Sequence, residues 1–238
     1  MMFEDGLSYP ARGDWLGRTI IGGLLAFFSF LLIPAFFVTG YLIRVLKTTV
    51  SGAEKPPAFE DWGDLFIKGL VGTVIAIIYS VVPFVVFGTI GFVLFGIIGI
   101  GGGIGGDGGG LIAGLGGLTL VFVGLLFIPV VFLIYYMVPA ALTNYAIEDD
   151  FGAAFDFSTI KPILLSGEYL VAVLLPLVVA VVLWIATSIL AVTGIGLLLA
   201  PFLQFYGQVV VFRMFGTAFK NVSESSRMPS SSSTATAQ

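Results

Sequence analysis

The sequence predicts an all-α integral membrane helical bundle: about five kinked transmembrane helices with two short interfacial amphipathic helices. Three observations carry this expectation. The 238 residues are 58% hydrophobic and only 10% charged, with a mean hydropathy of +1.10, whereas about a quarter of the residues of a soluble domain are charged. The apolar residues form uninterrupted runs of the length needed to cross a hydrocarbon core of about 30 Å. The charges collect in short stretches between those runs.

Thr19 to Ile43 is the first run, bracketed by Arg18 and Arg44, with Pro34 predicting a kink and Trp15 and Tyr41 suited to the interfacial aromatic belts. Val50 to Asp64 is a loop, since Pro56-Pro57 excludes helix. Phe59, Trp62 and Phe66 then recur at i, i+3 and i+7, with Glu60, Asp61, Asp64 and Lys68 at other angles. That spacing predicts a short helix lying in the membrane interface.

Gly69 to Ile100 is the second run, read as one helix bent at Pro83; two spans through Tyr79–Pro83 are the alternative. Gly101 to Gly117 is a glycine-rich link with Asp107 as its only charge. Its G-x-G-x-x-G at Gly101, Gly103 and Gly106 is read as lacking the preceding strand, the following helix and the later acid of a dinucleotide site. Leu111 to Ile147 is the third run, with Pro129 and Pro139, and it too is read as one helix, two being the alternative. After Glu148-Asp149-Asp150 come Phe151, Phe155 and Ile160 beside Asp156, Lys161 and Glu168, a second interfacial segment. Span four is Tyr169 to Val192 with Pro176, and span five is Gly194 to Phe212 with Pro201. Residues 1–14 are then an N-terminal segment, 15–220 one transmembrane domain, and 221–238 a disordered polar tail.

LLIPAFFVTGY, LLFIPVVFLIYY and LLLAPFLQFY each lead from leucines through a proline to a tyrosine, and an A-F-acid triplet precedes two of the spans. Degenerate internal repeats would produce this.

Five spans place the N-terminus opposite the loops and the C-terminus. Arg12 and Arg18 then face one side, and Arg44, Lys47, Lys55, Lys68, Lys161, Arg213, Lys220 and Arg227 the other. The positive-inside rule predicts a multi-pass protein of the cell membrane, N-terminus outside and C-terminus cytoplasmic, with Arg44, Lys47, Lys55, Lys68 and Lys161 setting topology. The N-terminal stretch lacks a basic n-region and a small-residue cleavage site, so the first span is expected to remain in the mature protein.

Chemistry is sparse. Cysteine and histidine are absent, which removes thiolate and imidazole ligands and the usual neutral-pH base. Net charge is -4, with fourteen acids against ten bases and a pI of about 4.6, so no nucleic-acid partner is expected. No ionisable group lies deep in a span, which disfavours a proton relay. Gln204, Tyr206 and Gln208 form a possible intramembrane polar cluster, read first as interhelical glue. Glu60-Asp61-Asp64 and Glu148-Asp149-Asp150 read as solvated helix ends, with no metal-loop spacing. No nucleophile with a base, no catalytic pair and no cofactor motif appears, so neither an enzyme nor a cofactor is expected.

GYLIRVL, the P-P-x-F-E-D-W segment, A-A-F-D-F before span four and G-I-G-L-L-L-A-P-F occur together here. Over about Trp15 to Lys220 the chain resembles the archaeal multi-pass membrane family catalogued as domain of unknown function 4013. The resemblance implies an integral membrane protein in a salt-loving cell, a setting the acidic balance also suits, and assigns no catalytic or binding residues. The expected function is a non-enzymatic scaffold, assembly or lipid-organising protein, anchored by Trp15, Phe59, Trp62, Phe66, Phe151 and Phe155. Its partners would be membrane lipids and, through assembly, other membrane proteins or further copies of itself. The alternative is a small transporter or channel subunit with a path lined by the span-five amides and tyrosines.

Overall fold

A computed structural model describes residues 2–103 and 109–227, and the described residues are almost entirely helical, with no strand among them. The helices are α1 (Met2–Ser8), α2 (Trp15–Phe27), α3 (Ile33–Val50), α4 (Trp62–Gly103), α5 (Gly109–Glu148), α6 (Phe157–Leu164), α7 (Gly167–Ala191) and α8 (Ile195–Arg227). Five of them contain a stretch long and apolar enough to cross a membrane: Ile33–Val50, Trp62–Val93, Phe127–Glu148, Gly167–Leu190 and Gly196–Ser225. The expected all-α bundle of about five spans is therefore the fold. Short polar side chains start several helices as sequence chemistry demands: Asp14 accepts from the Gly17 N–H, Asp156 from Ser158 and Ser166 from Tyr169.

The chain divides into two compact units, residues 1–75 with 139–238, and residues 76–138. The second unit takes the C-terminal part of α4 and the N-terminal part of α5, where Phe84 and Phe87 meet Phe127 at 5.7 and 6.2 Å between ring centroids. Among the described residues, every charged one belongs to the first unit. Its core gathers Tyr9, Val38, Tyr41, Leu42, Val45, Leu65, Phe205 and Val209, while Val179, Val210 and Met214 join α7 to α8.

Glycines set the approach of the helices in this unit. A Cβ on Gly40 would overlap the Leu65 carbonyl, and one on Gly69 would overlap the Phe36 carbonyl, so α3 and α4 cross backbone to backbone. Gly22 and Gly23 of α2 take Phe205 and Phe202 of α8 in the same way, and Gly216 of α8 receives Thr49 of α3.

Several expectations change. The first apolar run is not one kinked span: the helix tightens to a 3-10 turn over Phe28–Leu31, breaks at Leu32 with φ 65°, and restarts as α3. Pro34 explains the restart, because its ring suits the first turn of a helix while its missing N–H and its clash with the carbonyl four residues back stop the preceding helix from running through it. α2 starts beside the loop that follows α3, so α2 leads away from that loop and α3 returns to it. Consequently the N-terminal segment shares an end with the first loop instead of lying opposite it. Tyr9 donates its hydroxyl to the Lys55 carbonyl at 3.1 Å, Arg12 donates to the Glu54 carbonyl at 3.2 Å, and Arg213 bonds both Asp5 and the Ala53 carbonyl, at 2.9 and 2.8 Å.

The first interfacial helix does not form as a separate element. Asp61 adopts φ 50°, its carbonyl accepts from the Leu65 N–H, and Trp62 opens α4 directly, so Trp62 and Phe66 belong to the first turns of a long helix. The second segment does form short helices, a 3-10 turn at Phe151–Phe155 and α6, which buries Ile160 and Ile163. The glycine link is narrower than expected, since α4 runs through Gly103 and α5 begins at Gly109; Asp107 and the third motif glycine, Gly106, lie outside the described residues. Each long apolar run is one helix, continuous through Pro83 and through Pro129 and Pro139. α8 continues to Arg227, beyond the expected start of the tail at 221, and 228–238 lie outside the described residues.

The glycine crossing yields a test. Ala at Gly40 or Gly69 should lower stability by about 1–3 kcal/mol, because a carbonyl cannot rotate out of the way as a side chain can. Ala at Gly88, which faces open space in α4, should instead be neutral or stabilising by up to about 1 kcal/mol from helix propensity. Thermal unfolding in detergent separates the two outcomes.

Candidate functional site

The candidate site is the charged end of the first unit, where four segments of the chain meet. It is built in two clusters. In the first, Asp5 of α1 accepts from Arg12 at 2.7 Å and from Arg213 of α8 at 2.9 Å, and the Arg213 guanidinium sits 4.3 Å from the centroid of the Tyr9 ring. Burial pushes the Asp5 carboxyl up, but hydrogen bonds from the two arginines outweigh it and hold the group below the usual carboxylate range. Tyr206 donates its hydroxyl to the Leu7 carbonyl at 2.7 Å. Together these contacts fasten the N-terminal helix to α8 across most of the sequence.

The second cluster ties α3, α4 and the end of α5. Arg44 bonds the Glu60 carbonyl at 2.6 Å and the Asp64 carboxylate at 2.8 Å. Lys68 lies 3.1 Å from Asp64 and 3.3 Å from Asp149, and Lys47 pairs with Asp149 as well. Asp149 follows the last turn of α5 with φ 53° and donates its N–H to the Tyr145 carbonyl. A carboxylate there opposes the helix dipole, and the two lysines supply the compensating charge. The Lys47 hydrogen bond is the main cause that holds the Asp149 carboxyl below its usual range, with Lys68 adding to it against a smaller effect of burial.

Beside this network, the turn after α5 is shaped by Asn144, which is almost wholly buried and donates to the Ala153 carbonyl at 2.8 Å. Two adjoining clefts open there, of about 510 and 440 Å³, sharing Asn144, Glu148 and Thr159. Two of their acids are engaged locally: Asp150 accepts from the Ala153 N–H and Asp156 from Ser158 and Thr159. Among the described residues no group of three His, Cys, Asp or Glu side chains is placed to hold a metal ion.

The residues singled out from sequence separate into three kinds. Arg44, Lys47 and Lys68 are ion-paired as above, and Lys55 and Lys161 make no ion pair. Among the aromatic residues, Trp15, Trp62 and Phe151 are exposed. Phe59 instead stacks on Tyr41 with ring centroids 4.1 Å apart, Phe66 packs between Phe36 and Phe37, and Phe155 lies against Phe151. The span-five set is not gathered into one spot: Gln204 is exposed, Gln208 is half-buried, and the Tyr206 hydroxyl is directed to α1. The roles of Asp5, Tyr9, Asp64 and Asp149 escape sequence reasoning because, apart from the Asp64–Lys68 pair, the side-chain bonds that define them reach from 7 to 208 positions away. The one local signal is the i, i+4 spacing of Asp64 and Lys68.

The family described as protein of unknown function DUF4013 matches residues 27–192. No curated protein and no solved structure matches the chain.

Stability should depend on Asp149 in a defined pH window. Because its carboxyl titrates below the usual value, its contribution is present above about pH 4 and lost as pH falls further. Asp149→Asn should therefore unfold more easily at pH 7 by about 0.5–1 kcal/mol, a figure reduced for the half-exposed position. The variant and the wild type should converge in midpoint below that pH when melted in detergent.

Proposed function

The chain belongs to the DUF4013 family, and we propose that it is an integral membrane protein without catalytic activity that organises lipid or assembles partners at the cytoplasmic face. The observation that carries this reading is the convergence of the polar segments on one end of the helices, where they are spent on one another. Arg12, Arg44, Lys47, Lys68 and Arg213 all hold carboxylates of their own chain, a pattern suited to building a platform, not to exchanging protons or holding a substrate. Exposed Trp15, Trp62 and Phe151 at the same end would rest among lipid headgroups.

With the N-terminal segment moved to this end, the positive-inside rule assigns it to the cytoplasm together with the C-terminus. The partners in this reading are membrane lipids, with other membrane proteins or further copies of the chain as assembly partners and no nucleic acid. The setting is a cell membrane, and the acidic composition suits an archaeal, salt-loving host. A transporter reading loses its support when Gln204 is exposed and Tyr206 is bound to α1.

The orientation is open to direct test because the chain has no native cysteine. Single cysteines at Ser8, Ser51 and Ser225 should react with a membrane-impermeant maleimide only after the cytoplasmic face is opened. One at Thr193, between α7 and α8, should react in intact cells. Copurification from native membranes should bring down stoichiometric partner proteins or lipid. Recovery of substrate uptake in empty vesicles, with no partner retained, would reverse the choice between the two readings.

A further inference from the structure

Among the basic residues whose side chains are described, Arg18, Lys55 and Lys161 have no carboxylate in ion-pair reach. Two of these three are neighbours. Gly13 stands between them with φ 70°, and the point where its Cβ would lie is 3.1 Å from Arg18 Nη1, 3.5 Å from Arg18 Nη2 and 3.6 Å from the Lys55 Cδ. The missing side chain leaves a notch flanked by a guanidinium and a lysine stem. Two cations brought together without an acid repel one another, so the fold must hold them there.

It does so through the backbone. Arg18 donates Nη1 to the Arg12 carbonyl at 2.9 Å, Arg12 donates to the Glu54 carbonyl at 3.2 Å, and Tyr9 donates to the Lys55 carbonyl at 3.1 Å. Arg18 also lines a small gap with Pro10, Thr19, Tyr41 and Pro56. Of the acids nearest along the chain, Asp14 is turned to cap α2 through the Gly17 N–H at 3.2 Å, and Glu54, adjacent to Lys55, pairs with no described basic side chain. Exposed Trp15, one turn before Arg18, marks the depth of the notch as the boundary between headgroups and hydrocarbon.

We infer that Arg18 and Lys55, with the notch at Gly13, form a binding site for the phosphate of an anionic membrane lipid. A guanidinium presents paired donors to a phosphate, and an ammonium on a flexible stem adds a point charge beside it. The inference rests on the membrane placement proposed above and names the ligand that a lipid-organising surface would hold. Lys161 on α6 has no such neighbour among these contacts and serves as the internal comparison.

The test is native mass spectrometry of the full chain in detergent, where no membrane side exists, so an error in the proposed orientation does not affect it. The probes are phosphatidylglycerol and phosphatidylcholine. The wild type should retain phosphatidylglycerol over phosphatidylcholine by about thirtyfold, at about fivefold per cation near the surface. Arg18→Gln with Lys55→Gln should abolish the preference, Lys55→Gln alone should lower it by about fivefold, and Lys161→Gln should leave it intact. Lys55→Gln keeps the comparison decisive if the double variant does not fold, since only the Lys55 carbonyl is used by the fold. An undiminished preference in Lys55→Gln and the double variant overturns the site. Inorganic phosphate that binds equally well in phosphatidylcholine micelles overturns its assignment to lipid.

Discussion

An unpaired charge in hydrocarbon is costly, and that constraint draws the described basic side chains to one end of the helices. The pairs of α2 with α3 and α7 with α8 leave that end and come back to it, and α4 starts and α5 finishes there. The polar segments are therefore collected at that end, with none of the described charged residues in the middle of an apolar run. The ion pairs that join them are half-exposed and individually weak. Their weight comes from number and from linking segments distant in sequence, as Asp5 and Arg213 do.

Packing within the first unit follows from the same constraint. Lipid offers no hydrophobic gain for bringing two apolar helices together, so close contact of small residues must do so. Gly40 and Gly69 are the clearest case, and they stand at the two ends of the segment that includes Arg44, Lys47, the Pro56-Pro57 turn, Asp64 and Lys68. Their contact sets the spacing of α3 and α4, which brings Arg44 to Asp64 and leaves room for Phe59 to stack on Tyr41. Aromatic side chains expected to anchor in lipid are in part consumed by this interior.

Legibility from sequence follows the range of the interaction. Helix content and the apolar runs are local properties, and the continuous helices through Pro83 and Pro129 agree with them. The break at Leu32 was hidden because Pro34 is equally compatible with a kink inside a helix and with the first turn of a new one. That ambiguity decides which end of the helices the N-terminal segment shares, since α2 and α3 run in opposite directions once the helix breaks at Leu32. The Phe59, Trp62 and Phe66 spacing was read correctly as helical for its last two members, but nothing local shows that Trp62 opens α4 instead of a separate helix. The bond from Tyr206 of α8 to α1 joins positions 199 apart and has no local signal.

The convergence of the N-terminal segment and the first loop is most directly measured by the distance between spin labels at Glu4→Cys and Glu54→Cys in the reconstituted protein. A distance well below the roughly 30 Å thickness of a hydrocarbon core is the result the fold predicts. A distribution centred beyond that thickness would place the two segments on opposite sides and contradict it.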